Sequence, residues 1–189
     1  MIKIGILGDI GSGKSYVAER IGYPVFNADK EVVKLYKNDL KVFKQLTKSL
    51  PKFIYSFPIN KSEITAAILS NNSNLKKIIK IVHKEVRKKM NAFLRRNKKK
   101  RIVILDIPLL LENKINNKKD ILVFVESKRS DILKRLKKRN NFNEKLYKKF
   151  KNIQLPLSYK KRKSKFIIRN DFKNKSVKKS IKDMLNQIQ

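Results

Sequence analysis

The sequence of 189 residues lacks cysteine and tryptophan and contains a single histidine. The absence of cysteine excludes disulfides and thiolate metal sites, so the cytoplasm is the expected location by elimination. No apolar run approaches the roughly 18 residues that indicate a membrane span, and residues 1–5 are expected to form a first strand rather than a signal peptide. We therefore expect a globular protein with no membrane partner, of a length that suits one domain with a sizeable core.

Acidic residues are also scarce. Only 15 aspartates and glutamates stand against 49 lysines and arginines, which gives a formal net charge of +34. Such an excess would attract any polyanion, including nucleic acid. However, the basic residues are spread along the chain instead of forming one tail, and no helix-turn-helix, zinc or aromatic-rich RNA-binding pattern is present. We interpret the excess of lysine as a result of AT-rich codon usage, which would place lysines on solvent-exposed faces. We therefore predict no specific nucleic-acid partner. A basic nucleic-acid-binding protein is the more distant alternative, and its binding would depend steeply on salt.

Glycine is scarce too, yet three of the five glycines lie within residues 8–13. They belong to the segment GDIGSGKS, residues 8–15, which matches the phosphate-loop pattern G-x-x-x-x-G-K-[ST] between an apolar run and a helical pattern. In such a loop the backbone N–H groups point at a phosphate chain, the lysine reaches the terminal phosphates, and the serine coordinates Mg²⁺. The ATP-binding residues predicted here are Asp9, Ile10, Gly11, Ser12, Gly13, Lys14, Ser15 and Tyr16.

Short apolar runs alternate with helical patterns along the rest of the chain, which predicts an α/β fold with a parallel sheet covered by helices. The predicted strands are 2–7, 25–26, 102–105, 121–125 and 166–168. The predicted helices are 14–21, 30–49, 62–69, 75–94, 130–139 and 177–188. Ser62 is the expected N-cap of the third helix, and residues 71–74 are expected to interrupt the pattern after it. Residues 140–157 lack a continuous apolar face and are expected to be mobile.

Polar residues at the carboxyl ends of the predicted strands are candidates for a site, since ligands of open α/β sheets bind at that edge. Asp29 follows the second strand and could be a catalytic base or the N-cap of the next helix. Asp106 ends the third strand and is a candidate Mg²⁺ ligand, directly or through water. His83 and Arg87 lie one helical turn apart and face the same way; the histidine could equally be packing, and the arginine could bind an anion. The basic run 160–163 is most simply a solvated helix face, with Lys160 the one residue that the family resemblance given below singles out.

Several blocks of sequence share a pattern with one known family. They are GILGDIGSGKS (5–15), NAD (27–29), INK (59–61), IVHKEVR (81–87), LDIPLLLE (105–112), QLPL (154–157) with Lys160, and IRN (168–170). Through these blocks the chain resembles the dephospho-CoA kinases over nearly its whole length. The phosphate loop alone would indicate only a superfamily, whereas the Asp-x-Pro-Leu-Leu-x-Glu and Gln-x-x-x-x-x-Lys blocks narrow it.

The resemblance implies the fold of P-loop NTPases, as a single domain 1–189 with a five-stranded parallel sheet, a helical substrate-binding insertion at about 31–97 and a lid at about 140–157. It implies transfer of the γ-phosphoryl group of ATP, with Mg²⁺, to the ribose 3′-hydroxyl of dephospho-CoA by a monomer or weak homo-oligomer. The residues that it assigns are catalytic Asp29, Lys14 and Arg139; ATP-binding Arg135 and Asn170, the latter against the adenine; acceptor-binding Asp29, Lys61, His83, Arg87 and Leu109; and metal-binding Ser15 and Asp106. Residues 109–111 would also suit simple packing.

Several residues depart from the family pattern, mostly on the acceptor side. Asp9 stands where a glycine is usual, Asn27 replaces the first acid of Asp-Ala-Asp, and Lys84 stands for a proline. Asn60-Lys61 stands for Asp-Arg, and Phe150 stands for a lid arginine. Lysine in place of arginine keeps the charge but loses bidentate phosphate recognition. A small-molecule or nucleotide kinase of the same fold, with a different acceptor, is therefore the nearer alternative.

Overall fold

The structure is a computed structural model that describes residues 1–140 and 142–188. Five strands form one sheet in the order β2-β3-β1-β4-β5, and every neighbouring pair is parallel. The strands are β1 (Ile2–Gly8), β2 (Val25–Asn27), β3 (Ile102–Asp106), β4 (Ile121–Glu126) and β5 (Phe166–Arg169). The predicted parallel five-stranded sheet is confirmed, and each strand contains the apolar run that predicted it.

The central strands carry continuous apolar runs, as expected for strands that are buried on both sides. Every residue of β3 is buried, and so are the last five residues of β1. Helices α1 (Lys14–Arg20) and α9 (Asn174–Ile188) pack against the sheet through small and aliphatic side chains. The resulting core contains Ile4, Ile6, Val17, Ala18, Ile104, Val123, Ile168, Val177 and Ile181. This packing holds the carboxyl ends of the strands in fixed register, so that Asn27 of β2 lies opposite Asp106 of β3.

The chain divides into two compact units. The sheet unit contains residues 1–27 and the described chain from Asn97 onward; the helical unit contains residues 28–96. Besides the sheet, α1 and α9, the sheet unit contains α6 (Arg129–Lys137), α7 (Glu144–Asn152) and α8 (Leu157–Lys163). The helical unit consists of α2 (Ala28–Asn38), α3 (Leu40–Ser49), α4 (Lys61–Ser70) and α5 (Asn72–Arg96). Among the described residues, no helix is both long and apolar enough to cross a membrane.

The helical unit is built around α5, which α2, α3 and α4 all contact. The helix predicted over 75–94 lies within α5, and its apolar residues Leu75, Ile78, Val82 and Val86, spaced at three and four residues, are all buried. The long helix predicted over 30–49 is in fact two helices. Asp39 separates them, because its side chain accepts a hydrogen bond from the Val42 N–H at 3.0 Å and so caps the start of α3.

Two expected helix boundaries in the same unit are wrong. Ser62 is not an N-cap, because α4 begins at Lys61 and Asn60 occupies the cap position. Residues 71–74 do not form a longer break, because α5 begins at Asn72 and only Asn71 interrupts the helices. The Asn71 side chain accepts a hydrogen bond from the Ser73 N–H at 2.8 Å, which lets a single residue turn the chain.

Of the segment 140–157, which was expected to be mobile, residue 141 lies outside the described residues, and residues 142–157 contain the whole of α7 and the first residue of α8. Leu146, Phe150 and Ile153 recur at four and three residues and give this region an apolar face, although no residue of α7 is fully buried. The Asn143 side chain accepts a hydrogen bond from the Leu146 N–H at 2.9 Å and caps the helix. A narrow apolar stripe among many lysines is hard to recognise in sequence.

Candidate active site

The phosphate loop connects β1 to α1 through glycines in left-handed backbone conformations. Gly11 has φ 83° and Gly13 has φ 87°, values that side chains rarely permit. A Cβ atom on Gly13 would also lie 2.3 Å from Nδ2 of Asn170, so a larger residue does not fit there. The loop therefore has the tight, Cβ-free backbone that lets a phosphate approach its N–H groups.

Lys14, the lysine of the loop motif, lies along the loop. The Lys14 ammonium donates hydrogen bonds to the Asp9 carbonyl oxygen at 2.7 Å and to the Gly8 carbonyl oxygen at 3.3 Å. Ser12 is fully buried, and among the described residues its hydroxyl oxygen has no hydrogen-bond partner. A cation over the loop and a buried polar hydroxyl in it are both suited to an anionic ligand.

Two residues of the sheet unit that are distant from the loop in sequence, Ser127 and Asn170, hydrogen-bond to this loop. The Ser12 carbonyl accepts hydrogen bonds from the Asn170 side-chain amide at 2.8 Å and from the Ser127 hydroxyl at 2.9 Å. The Asn170 side-chain oxygen accepts from the Phe172 N–H at 3.0 Å. Both ends of the Asn170 side chain are thus bound within the protein. Its contact in the structure is with the phosphate loop, whereas the resemblance assigned it to the adenine.

Arg135, a predicted ATP-binding residue on α6, contacts an aromatic ring that the sequence did not single out. Its guanidinium carbon lies 4.3 Å from the centre of the Phe172 ring. Phe172 has φ 63°, and its N–H is the donor to Asn170. A guanidinium plane beside an aromatic ring is a surface on which a flat base could stack. The only sequence signal for this contact is the single phenylalanine, Phe172, shortly after the last strand.

Three oxygen- and amide-bearing side chains meet at the carboxyl edge of the sheet. The Asn27 amide donates to an Asp106 carboxylate oxygen at 2.6 Å and lies 3.5 Å from the Ser15 hydroxyl oxygen. Asp106 is 4% exposed. The structure therefore brings together the two predicted metal residues, Ser15 and Asp106. It also shows that Asn27 contacts both residues. From the sequence, Asn27 was noted only as a residue that replaces a carboxylate of the family pattern.

This donor set suits Mg²⁺, which prefers oxygen ligands and is usually held by one or two protein groups plus water and phosphate oxygens. The described residues contain no cluster of three or more His, Cys, Asp or Glu side chains that could form an all-protein metal cage. Ser15 and Asp106 would be the residues that hold such an ion.

The two blocks that narrowed the resemblance meet in a buried ion pair. The Lys160 ammonium lies 2.6 Å from a Glu112 carboxylate oxygen, and their side chains are 3% and 10% exposed. The same glutamate oxygen accepts from the Leu155 N–H at 2.9 Å, and Lys160 also donates to the Gln154 side-chain oxygen at 3.4 Å. The reading of Lys160 as part of a solvated helix face is therefore wrong. The pair fastens α8 to the loop after β3.

We expect Lys160→Met to lower the free energy of unfolding by about 3–5 kcal/mol, because it leaves a buried carboxylate without its counter-charge. Lys161→Met is the matched control on the neighbouring residue, since Lys161 pairs with Glu126 in a more exposed position, with side chains 44% and 33% exposed. That control should cost less than about 1 kcal/mol. Urea unfolding of both variants measures the difference. Equal losses would mean that the Glu112 pair contributes no more than a surface contact.

Three further predicted residues belong to the sheet unit and lie outside these clusters. Arg139 follows the end of α6 and is exposed, with its N–H donating to the Leu136 carbonyl at 3.1 Å. Leu109 has φ 58° and is partly buried, and its carbonyl accepts from the Asn113 N–H and side chain. Tyr16 on α1 hydrogen-bonds through its hydroxyl to the Asn174 side chain.

In the helical unit, the departure Asn60-Lys61 falls beside a buried carboxylate. Glu63 is 4% exposed and accepts hydrogen bonds from the Tyr55 N–H, the Ser56 N–H and hydroxyl, and the Asn60 amide. Burial alone would raise the pKa of Glu63, but these hydrogen bonds outweigh it and leave the pKa below its usual value. Asn60 thus anchors the start of α4, and Lys61 beside it is exposed.

His83 and Arg87 lie one turn apart on α5, as predicted. Arg87 is exposed and His83 is partly buried. Burial lowers the pKa of the His83 imidazole, and the charge of Arg87 lowers it further. The histidine is therefore neutral at pH 7 beside an exposed arginine. Asp29, the other acceptor-side candidate, lies in the first turn of α2, which begins at Ala28, so it is not the N-cap.

The single histidine allows this electrostatic effect to be measured directly. In an NMR titration the His83 midpoint should lie below the usual value of about 6.5. Arg87→Gln should raise it, while Arg95→Gln, also exposed on α5, should not. Because the unfolded chain takes up this proton at higher pH than the folded chain, the contribution of His83 to stability falls as the pH drops below about 6.5. A midpoint at or above 6.5 would contradict this description.

Comparisons with known proteins show the family of this chain. Residues 2–176 match the family model described as dephospho-CoA kinase. The dephospho-CoA kinase of Wolbachia pipientis wMel is 32% identical over 190 residues, covering 98% of this chain and 97% of that protein. The chain belongs to the dephospho-CoA kinase family. It is therefore an enzyme of the kinase class, with ATP as the implied phosphoryl donor.

Solved structures support the fold of this dephospho-CoA kinase family member. A crystal structure of a Thermus thermophilus protein aligns with a TM-score of 0.80 at 25% identity, covering 100% of this chain and 98% of that one. Dephospho-CoA kinase from Campylobacter jejuni aligns with a TM-score of 0.63 at 20% identity, covering 98% and 96% of the two chains. The sheet, the phosphate loop and the helices thus follow the P-loop kinase fold.

Proposed function

We propose that this chain transfers the γ-phosphoryl group of ATP to the ribose 3′-hydroxyl of dephospho-CoA, giving coenzyme A and ADP, with Mg²⁺ as cofactor and in the cytoplasm. The observation that carries the proposal is the grouping of the phosphate loop, Lys14, Ser15 and Asp106 at one edge of the sheet unit. Family membership supports the choice of acceptor. Phosphoryl transfer needs mainly positioning and charge neutralisation, and this grouping supplies both.

On the donor side, the loop N–H groups and Lys14 bind the phosphates. Ser15 and Asp106 would hold Mg²⁺, and the Asn27 amide positions the Asp106 carboxylate through its 2.6 Å hydrogen bond. When bound, Mg²⁺ neutralises charge on the phosphate oxygens. Arg135 and Phe172 offer a stacking surface for the adenine base. The Asn170 contacts with Ser12 and Phe172 connect this surface to the loop.

On the acceptor side, Asp29 orients the ribose 3′-hydroxyl and accepts its proton. Asn27 replaces the other acid of the family pair, so Asp29 is the carboxylate of that pair left for this task. Arg87 and Lys61 are exposed cations that would bind the acceptor phosphates. His83, neutral at pH 7, would contribute a hydrogen bond rather than a charge. Arg139 would stabilise charge on the transferred group, as its position in the family pattern implies.

A panel of acceptors tests the proposal. ATP and Mg²⁺ are incubated with the protein and with dephospho-CoA, adenosine, AMP or shikimate in turn, and ADP is followed by a coupled assay. The proposal predicts ADP formation that depends on dephospho-CoA and exceeds that with the other acceptors by at least a hundredfold in kcat/KM. Preference for a nucleoside or nucleotide would instead favour a related kinase with a changed acceptor.

A further inference from the structure

The phosphate loop of this chain carries a carboxylate with an unusual partner. Asp9 stands where the dephospho-CoA kinase pattern has glycine, and it is 8% exposed. Both of its carboxylate oxygens lie 2.7 Å from the ammonium nitrogen of Lys151, which is near the end of α7. The pair joins residues 142 positions apart in sequence. A buried charge at this place in the loop is therefore matched by a cation from the lid segment.

The surroundings of this carboxylate resemble those of a bound phosphate. One Asp9 oxygen also accepts a hydrogen bond from the Ile10 N–H of the loop at 2.7 Å. A loop N–H and a lysine ammonium are the donor types that phosphate-binding loops direct at phosphate oxygens. The carbonyl oxygen of the same residue accepts from Lys14 at 2.7 Å. Asp9 thus holds two lysine ammonium groups at the loop, one on its main chain and one on its side chain.

Lys151 lies next to a position where the family pattern has a basic residue and this chain does not. It directly follows Phe150, which stands where the family pattern has a lid arginine. An arginine at position 150 is lost, yet a cation from the next residue reaches the phosphate loop. Lys148, one turn earlier on α7, instead pairs with Glu144 at 2.9 Å in the exposed part of the helix. Lys148 and Lys151 thus have different partners, although both are lysines of the same helix.

We propose, building on the function proposed above, that Lys151 is an additional phosphate-binding residue that replaces the missing lid arginine. The triphosphate of ATP competes with the Asp9 carboxylate for the Lys151 ammonium. Asp9 keeps the lysine at the loop and weakens ATP binding by the amount of this competition. The two partners of one ion pair thus have opposite effects on nucleotide affinity.

Equilibrium binding of a fluorescent ATP analogue, without acceptor and therefore without turnover, tests this proposal. Lys151→Gln should weaken ATP binding about tenfold or more, the effect expected for loss of one charge-assisted hydrogen bond, and should leave adenosine binding unchanged. Lys151→Arg should retain affinity. Lys148→Gln removes the same charge from the same helix and should change ATP affinity less than twofold.

The partner variant distinguishes phosphate binding from a structural role. Asp9→Asn keeps an acceptor for the Ile10 N–H but removes the competing charge, so it should tighten ATP binding severalfold; the effect should be smaller in the Lys151→Gln background. Asp9→Gly, the residue usual in the family, provides a second test of the same sign. If Lys151→Gln and Asp9→Asn weaken ATP binding and lower the melting temperature together, the pair is structural and the proposal is wrong.

The same set of variants separates this inference from the proposed function. Unchanged ATP affinity in Lys151→Gln, in a protein whose wild type still phosphorylates dephospho-CoA, would overturn the role of Lys151 alone. Failure of the wild type to bind ATP would overturn both.

Discussion

Replacing Asp29 by Asn is expected to lower kcat by about 10² to 10⁴, the range that general-base catalysis contributes, while ATP affinity changes little. Asparagine preserves the size of the side chain and one hydrogen-bond acceptor, but it cannot take a proton or offer a full negative charge. Because Asn27 occupies the place of the neighbouring acid, no second carboxylate of the pair compensates. Single-turnover rates with saturating ATP measure the effect without interference from product release.

A structural role for Asp29 predicts a different result. An acid in the first turn of a helix interacts with the helix dipole, which is worth about 0.3–1 kcal/mol of stability and nothing in catalysis. Asp131 is likewise an acid in the first turn of a helix, α6, so Asp131→Asn is the control. Similar small losses of stability in both variants, with a rate loss in Asp29→Asn alone, would support the catalytic role. A Asp29→Asn variant with unimpaired rate would exclude Asp29 as the base.

Replacing Lys14 by Ala is expected to remove most turnover, on the order of a thousandfold, since preorganised charges at a reacting group each contribute about 10² to 10³ in rate. Lys14 is the side-chain cation that the loop motif directs at the terminal phosphates, and its ammonium lies 2.7 Å from the Asp9 carbonyl. The fold should survive, because the loop is also held by the hydrogen bonds that the Ser12 carbonyl accepts from Asn170 and Ser127.

The control for Lys14 is Lys178→Ala, which removes an exposed lysine from α9. Both variants lose one positive charge from a chain of net charge +34, so a general loss of electrostatic attraction for ATP would affect them equally. Steady-state kinetics and thermal melts of the two variants decide the matter. Near wild-type activity in a folded Lys14→Ala variant would show that the phosphate-loop assignment is wrong.

Local patterns in the sequence were enough to predict the sheet and the phosphate loop. Short apolar runs of two to six residues predict buried parallel strands, and the Gly8–Ser15 spacing constrains both backbone and chemistry in one short segment. The carboxyl-edge rule for open sheets then indicates Asp106, at the end of the third strand, as a candidate Mg²⁺ ligand. These features are determined by residues close together in the chain, so a single sequence is enough to predict them.

Three contacts that sequence reasoning missed join residues that are distant in the chain. Glu112 and Lys160 form a buried ion pair. The sequence did not indicate it, because Lys160 begins a run of four basic residues that is typical of an exposed helix face. Lys151 reaches Asp9 across most of the chain. The contact of Asn27 with Asp106 depends on the strand register that places the two residues opposite each other. In the sequence, an amide in place of an acid indicated only that a carboxylate is missing. Tertiary neighbours decide such roles, and neither propensity nor spacing encodes them.

The position of the new phosphate on the product of a single incubation is the decisive test of the proposed phosphoryl transfer to the ribose 3′-hydroxyl. The protein is mixed with ATP, Mg²⁺ and dephospho-CoA, and the product is isolated and assigned by phosphorus and proton NMR. The account predicts one ADP formed per product molecule and a phosphomonoester on the ribose 3′-oxygen. A phosphate on another oxygen, or ADP formed at the same rate when dephospho-CoA is left out, would contradict it.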